Sequence, residues 1–216
     1  MSPFQEELAR LKERIEGNLP PAYLELMHGE TRALEASGVR ERTLQAGTPA
    51  PDFDLEDQNG ELRTRTSLLE QGPLAITFYR GFWCPYCNAD LKNLEKHREQ
   101  IEATGATLLA VSPELPKYTR KVIHTQKLGF DILRDPGNQL AAQFGLKFLV
   151  SDDLKQLYRS SFNVNLKLYH GTDEWSLPMP ARYVIDTDGM LRYAESCPDY
   201  TRRPDPDELI HCLSSL

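Results

Sequence analysis

The 216-residue chain has no uninterrupted run of the roughly 20 apolar residues that a bilayer-spanning helix needs. Its N-terminus, MSPFQEELARLKERIEG, mixes charged and apolar residues and lacks the continuous hydrophobic region of a secretory signal, which points to a cytoplasmic protein. Cysteine is scarce. Four residues do not make a disulfide scaffold, and a chain this long can bury a core without one. A basic excess is also missing: 25 Lys and Arg against 32 Asp and Glu leave a formal charge of -7, which argues against a general nucleic-acid binder. Clusters such as Arg202-Arg203 are short and flanked by acids. There is neither an internal repeat nor a low-complexity segment.

What is present is a helical start followed by alternating strands and helices. Phe4, Leu8, Leu11 and Ile15 recur at helical spacing and give one apolar stripe. Gly17-Asn18 ends that segment, and Pro20-Pro21 opens a second helix carrying Leu24, Met27 and Leu34. Residues 1–45 thus read as a helical arm that packs on its own domain or on a partner subunit, so a homodimer is one arrangement it permits. Gly47-Thr48-Pro49-Ala50-Pro51 marks the boundary with a main domain over 46–216.

In that domain Asp57-Gln58-Asn59-Gly60 predicts a hairpin turn, and Leu74 to Tyr79 has the length and continuity of a buried central strand. A helix follows Cys84. A strand over 107–111, a helix over 116–128 and a strand over 130–133 come next. The turn Asp186-Thr187-Asp188-Gly189 joins a terminal strand pair, and a short helix closes the chain. The pattern is α/β. Residues 145–178 form an insertion with no place in the alternation, one that can border the active site.

Two of the four cysteines form Cys84-Pro85-Tyr86-Cys87, between a buried-strand pattern and a helix. Pro85 suits the first helical position, where its missing N–H costs nothing. Cys84 is thereby placed at a helix N-terminus, where unpaired N–H groups and the helix dipole favour a thiolate, the reactive form of the thiol. Cys87 lies three residues on, within reach of a mixed disulfide or sulfenic acid on Cys84. One cysteine reacts and the other resolves. The same spacing can form half of a zinc site, with Cys197, Cys212, His97 and His211 as the other candidates. Cys197 and Cys212 are too far apart to supply a second knuckle, so the reading is a redox dithiol with no metal and no cofactor.

Three segments resemble a known family: Ala50-Pro51-Asp52-Phe53-Asp54-Leu55, Phe78-Tyr79-Arg80-Gly81-Phe82-Trp83-Cys84-Pro85-Tyr86-Cys87-Asn88 and Pro180-Ala181-Arg182-Tyr183-Val184-Ile185-Asp186. They are similar to the alkyl hydroperoxide reductase/thiol-specific antioxidant (peroxiredoxin) family, and most of all to its peroxiredoxin-like branch with a Cys-Pro-Tyr-Cys motif. The resemblance spans residues ~40 to 210 and implies a thioredoxin fold, a central mixed sheet flanked by helices. It has departures. With the Phe-Tyr pairs aligned, Arg80 takes the place of the family's proline, Cys84 that of its Thr/Ser and Cys87 that of its peroxidatic cysteine. The family's activating arginine is replaced by Pro180, which corresponds instead to the cis-proline facing the dithiol in thioredoxins. Arg80 and Arg182 are then the available cationic donors for a leaving alkoxide. Trp83 and Tyr86 shape the rim.

Three functions compete. The first is a thiol peroxidase that reduces hydroperoxides through Cys84 and Cys87, closes an intramolecular disulfide and is recycled by a thioredoxin-like donor. The second is a protein disulfide reductase whose substrate is a client disulfide. The third is a redox sensor or binding module without catalysis. The family context ranks them in that order.

Overall fold

The computed structural model describes residues 2–216. Helix α1, Pro3–Glu16, begins at Ser2, whose hydroxyl accepts the Gln5 N–H at 3.2 Å, and Pro3 occupies its first position. The predicted stripe faces inward. Phe4 and Leu8 are buried among Leu91, Leu94, Leu209 and Leu213, and Leu11 and Ile15 pack at the margin of that cluster. The arm therefore packs on its own chain. Helix α2, Pro21–Ala36, has no buried residue and lays Tyr23, Leu26 and Met27 against the insertion.

Strands β1 (Asp54–Glu56) and β2 (Leu62–Thr64) form the expected hairpin, and a short helix α3 (Arg65–Leu69) follows it. The main sheet is built from β3 (Leu74–Phe78), β4 (Thr107–Ser112) and β5 (Asp131–Arg134), joined by helices α4 (Pro85–Glu102) and α5 (Pro116–Gln126). After helix α6 (Gln139–Gln143), the insertion contributes strand β6 (Lys147–Leu149), helices α7 (Asp152–Ser161) and α8 (Leu166–His170), and strand β7 (Ser176–Pro178). β6 and β7 pair antiparallel and close the insertion at its base. Strands β8 (Ala181–Ile185) and β9 (Leu191–Ser196) return to the main sheet, and helix α9 (Pro206–Leu213) ends the chain.

The order in the sheet is β5-β4-β3-β8-β9, with β3, β4 and β5 parallel and β8 and β9 antiparallel. This is the mixed sheet of a thioredoxin fold. Side chains alternate between its faces, because successive residues of a strand point to opposite sides. Ala75, Leu108, Ala110, Ile132 and Val184 join α1, α4 and α9 in one core; Ile76, Phe78, Leu109, Val111, Leu133 and Tyr183 form the other. The alternation that turns Ala181 and Tyr183 toward the second core turns Arg182 toward α4. A third cluster, including Leu157, Tyr158 and Trp175, belongs to the insertion and receives α2.

Candidate active site

The buried strand β3 ends at Phe78, and residues 79–84 turn the chain into α4. Gly81 has φ 146°, and a Cβ there would lie 2.5 Å from the Trp83 indole nitrogen and 2.7 Å from a Glu114 carboxylate oxygen. Only glycine fits. Both oxygens of Glu114, which follows β4, accept the Phe82 N–H at 2.9 and 3.0 Å. The Asn88 side chain donates to the Phe82 carbonyl at 2.7 Å, the Cys84 N–H donates to Gly81 and the Asn88 N–H to Cys84, both at 3.1 Å. The turn is thus fixed from both ends. Cys84 is the extended N-cap of α4 and Pro85 its first residue, as the sequence predicts.

Cys84 and Cys87 are free thiols, 1% and 0% exposed. Burial works against a charge on Cys84, but a hydrogen bond from Cys87, then the Arg80 and Arg203 guanidiniums, outweigh it and bring the thiol down to about 5. Cys87 is pushed up: burial, the hydrogen bond it gives to Cys84 and the charge on that sulfur all favour its protonated form. The first proton of the pair therefore leaves from Cys84. Glu114 is driven up to about 8 by burial and by the nearby Cys84 charge, against the Phe82 N–H that favours its ionised form. It is a neutral acid at pH 7.

The Arg80 guanidinium sits among aromatic rings. Its carbon lies 4.5 Å from the centre of Tyr200, 4.9 Å from Trp83 and 6.0 Å from Tyr158, and Nη2 donates to the Tyr158 hydroxyl. Burial opposes its charge, but Tyr158 and the two sulfurs together hold its pKa above the ordinary arginine value. Arg80, Trp83, Cys84 and Tyr86 line one side of a cavity of about 260 Å³. Ile15, Glu16, Leu19 and Met27 of the arm, Tyr158, Phe162 and Val164 of the insertion, and Tyr200 line the opposite side. Tyr86 meets Tyr200 edge to face at 5.7 Å. A second cavity, of about 250 Å³, shares Met27, Arg80, Tyr158 and Tyr200 with the first.

Two expected site residues stand elsewhere. Arg182 is 1% exposed and does not line the cavity; its guanidinium pairs with Asp90 of α4 and donates to the Pro204 carbonyl at 2.8 Å. A guanidinium bound to a carboxylate and a carbonyl is not offered to a substrate. Pro180 lines the second cavity rather than the one at Cys84, and no cis peptide bond occurs among the described residues. The cis geometry expected there is absent, and the backbone around Pro180 is already paired, with Met179 N–H donating to Leu146 and Cys197 N–H to the Pro180 carbonyl.

Sequence reasoning passed over five residues that the fold brings to the dithiol. They are Asp90, Glu114, Tyr158, Tyr200 and Arg203. Arg203 is buried, and its Nη2 donates to the Cys87 sulfur at 3.0 Å, while Nε lies 3.3 Å from Asp90. Asp90 has a signal of its own, an acid one turn after Cys87 on the inner face of a helix. Tyr158 carries none, because a long connection delivers it, while Tyr200 and Arg203 fall in Asp199-Tyr200-Thr201-Arg202-Arg203, a further segment that resembles the family without disclosing a role. Among the described residues no group of three or more His, Cys, Asp or Glu side chains is arranged to hold a metal.

A mixed sheet with a reduced dithiol at the N-terminus of its central helix defines a thioredoxin-fold thiol redox protein. The AhpC/TSA family matches residues 46–194, more than half of the chain, and the chain belongs to that family. It is 28% identical over 137 residues to peroxiredoxin Bcp of Escherichia coli K12, a match covering 61% of this chain and 87% of that one. Among solved structures it is similar to the peroxidoxin BcpB of Mycobacterium tuberculosis, with TM-score 0.62, 21% identity and coverage of 80% of this chain and 98% of the other. A peroxiredoxin-like protein from Aquifex aeolicus superposes with TM-score 0.60 at 16% identity, over 80% of this chain and 88% of that one. These likenesses establish the common fold. The arm and Arg203 lie outside the matched residues.

Proposed function

We propose that the chain is a thiol peroxidase in which Cys84 is the nucleophile and Cys87 the resolving thiol. The observation that carries the assignment is the placement of Cys84, whose thiol is brought down to about 5, in the lining of a largely apolar cavity that it shares with the Arg80 guanidinium. The Cys84 sulfur attacks the terminal oxygen of a hydroperoxide, the O–O bond breaks, and Arg80 stabilises the departing alkoxide, which takes up a proton as the alcohol. Cys87 then attacks the sulfenic acid on Cys84. A Cys84–Cys87 disulfide forms and water leaves. A thioredoxin-like dithiol restores the pair. Pro180 does not border Cys84, where a client backbone would have to be held, which supports a small substrate over a client protein.

Single-cysteine variants test the roles. With Cys87→Ser, one equivalent of hydroperoxide should leave a sulfenic acid on Cys84 that dimedone traps. With Cys84→Ser, oxidation should slow to the rate of a small-molecule thiol. The opposite pattern would reverse the roles, and slow oxidation of both variants and of the native protein would overturn the function.

A further inference from the structure

Arg203 makes contacts that the peroxide step does not require. It is 4% exposed: Nη1 donates to the carbonyls of Tyr200 and Arg202 at 2.7 and 2.6 Å, Nε lies at ion-pair distance from Asp90, 3.3 Å, and Nη2 donates to the Cys87 sulfur at 3.0 Å. Its own backbone is tied to the arm, for the Gln5 side chain donates to the Arg203 carbonyl at 2.8 Å. Asp90 is held from its other oxygen by Arg182, which is anchored on β8 and at the Pro204 carbonyl. A guanidinium gripped at these points directs one Nη2 N–H at Cys87.

We infer that Arg203 is a catalytic residue of the second half of the cycle, holding the charge that appears on Cys87. Two steps place a charge there. In resolution, Cys87 gives up its proton and attacks the Cys84 sulfenic acid; the new S–S bond forms, and the hydroxide that leaves takes that proton as water. In recycling, a donor thiolate attacks the Cys84 sulfur; a mixed disulfide forms, the Cys84–Cys87 bond breaks, and its electron pair stays on Cys87. A second donor thiol then releases Cys84. A fixed, desolvated N–H at the departing sulfur lowers the pKa of that leaving group, and a thiol of lower pKa leaves faster. Arg203 occupies this position although Pro180 stands where the resembled family has its activating arginine. Two guanidiniums from other segments, Arg80 at Cys84 and Arg203 at Cys87, divide the work.

The inference rests on the dithiol roles proposed above, yet its test is independent of peroxide. In a background with Cys84, Cys197 and Cys212 all replaced by Ser, the ultraviolet thiolate absorbance of lone Cys87 should titrate about one pH unit or more higher when Arg203→Met is added. In the chain with both cysteines, the disulfide is formed with diamide and reduced with dithiothreitol. Arg203→Met should slow that reduction roughly fivefold, the effect of a poorer leaving thiol. Arg203→Lys keeps the charge but cannot grip Asp90 and Cys87 together, so both readouts should fall between the native and Met values. If Arg203→Met does not fold, the Lys variant decides. Native midpoints and native reduction rates in a folded variant would overturn the inference. Failure with peroxide but success here would sink the peroxidase reading alone.

Discussion

Cys84 and Cys87 sit three residues apart in the same buried environment, yet their thiols move in opposite directions. Burial is common to both, so the difference lies in their partners. The fields of Arg80 and Arg203 reach both sulfurs, so what separates them is their shared hydrogen bond: Cys84 receives it, whereas Cys87 gives it and faces the charge it creates. The second-order rate with hydroperoxide should therefore be nearly flat at neutral pH and fall as the pH drops through about 5, where Cys84 is protonated. Arg80→Met removes a cation from beside the thiolate and should move that inflection upward by roughly one pH unit; an unmoved inflection would disprove the role of Arg80. Glu114 makes a prediction of its own. Its folded pKa of about 8 lies above the unfolded carboxylate value of roughly 4.3, so the stability it contributes is complete below pH ~4 and lost as pH rises through about 8. The melting temperature of the native protein should fall relative to Glu114→Gln between pH 5 and pH 9, by an amount equivalent to a few kcal/mol. Parallel curves would show that Glu114 is not a buried neutral acid.

At the scale of elements, the site is assembled from parts of very different sequence separation. The strand β3, the turn and α4 supply the dithiol as one continuous piece, while the arm and α7 supply most of the opposite wall. That wall is apolar apart from Glu16, and its shape is set by side chains of the arm, outside the family match, together with those of the insertion. Met27 borders both cavities, and Met27→Trp should fill part of the space that a substrate tail would take. Reduction of cumene hydroperoxide should slow about tenfold, equivalent to ~1.4 kcal/mol of lost fit, and hydrogen peroxide far less. Equal losses with the two peroxides would mean that the cavity does not receive the substrate's carbon skeleton.

The same division explains what the sequence discloses. The stripe of Phe4, Leu8, Leu11 and Ile15, the run from Leu74 and the Cys84-Pro85 junction follow from periodicity and local geometry, and each forms the element expected of it. Tyr158 and Arg203 reach the dithiol through tertiary packing of the insertion and of the segment before α9, which no local pattern encodes. Arg182 was legible as a chemically capable residue but not as a buried one, because its partner Asp90 lies 92 positions away. The small elements α3 and α6 lack the length for a periodic signal.

Across the whole molecule the arm is part of the core. Phe4 and Leu8 share one cluster with α4 and α9, Ser2 hydrogen bonds to Asp205, and Gln5 holds the Arg203 carbonyl, so the first and last helices clamp the catalytic helix between them. Urea unfolding should then be a single transition, with far-ultraviolet dichroism and tryptophan fluorescence coinciding. An early dichroism phase that leaves the Trp83 signal intact would show an arm that unfolds alone. In the proposed function, this assembly makes Cys84 a peroxide-reactive thiolate that closes on Cys87. The most direct test is a stopped-flow mixture of reduced protein with hydroperoxide, followed by the fluorescence of Trp83 beside Cys84 and by thiol count. Oxidation should be far faster than that of a small-molecule thiol, with two thiols lost per peroxide and a Cys84–Cys87 disulfide in the peptide map. Oxidation at the small-thiol rate, or a disulfide joining any other pair, would contradict that function.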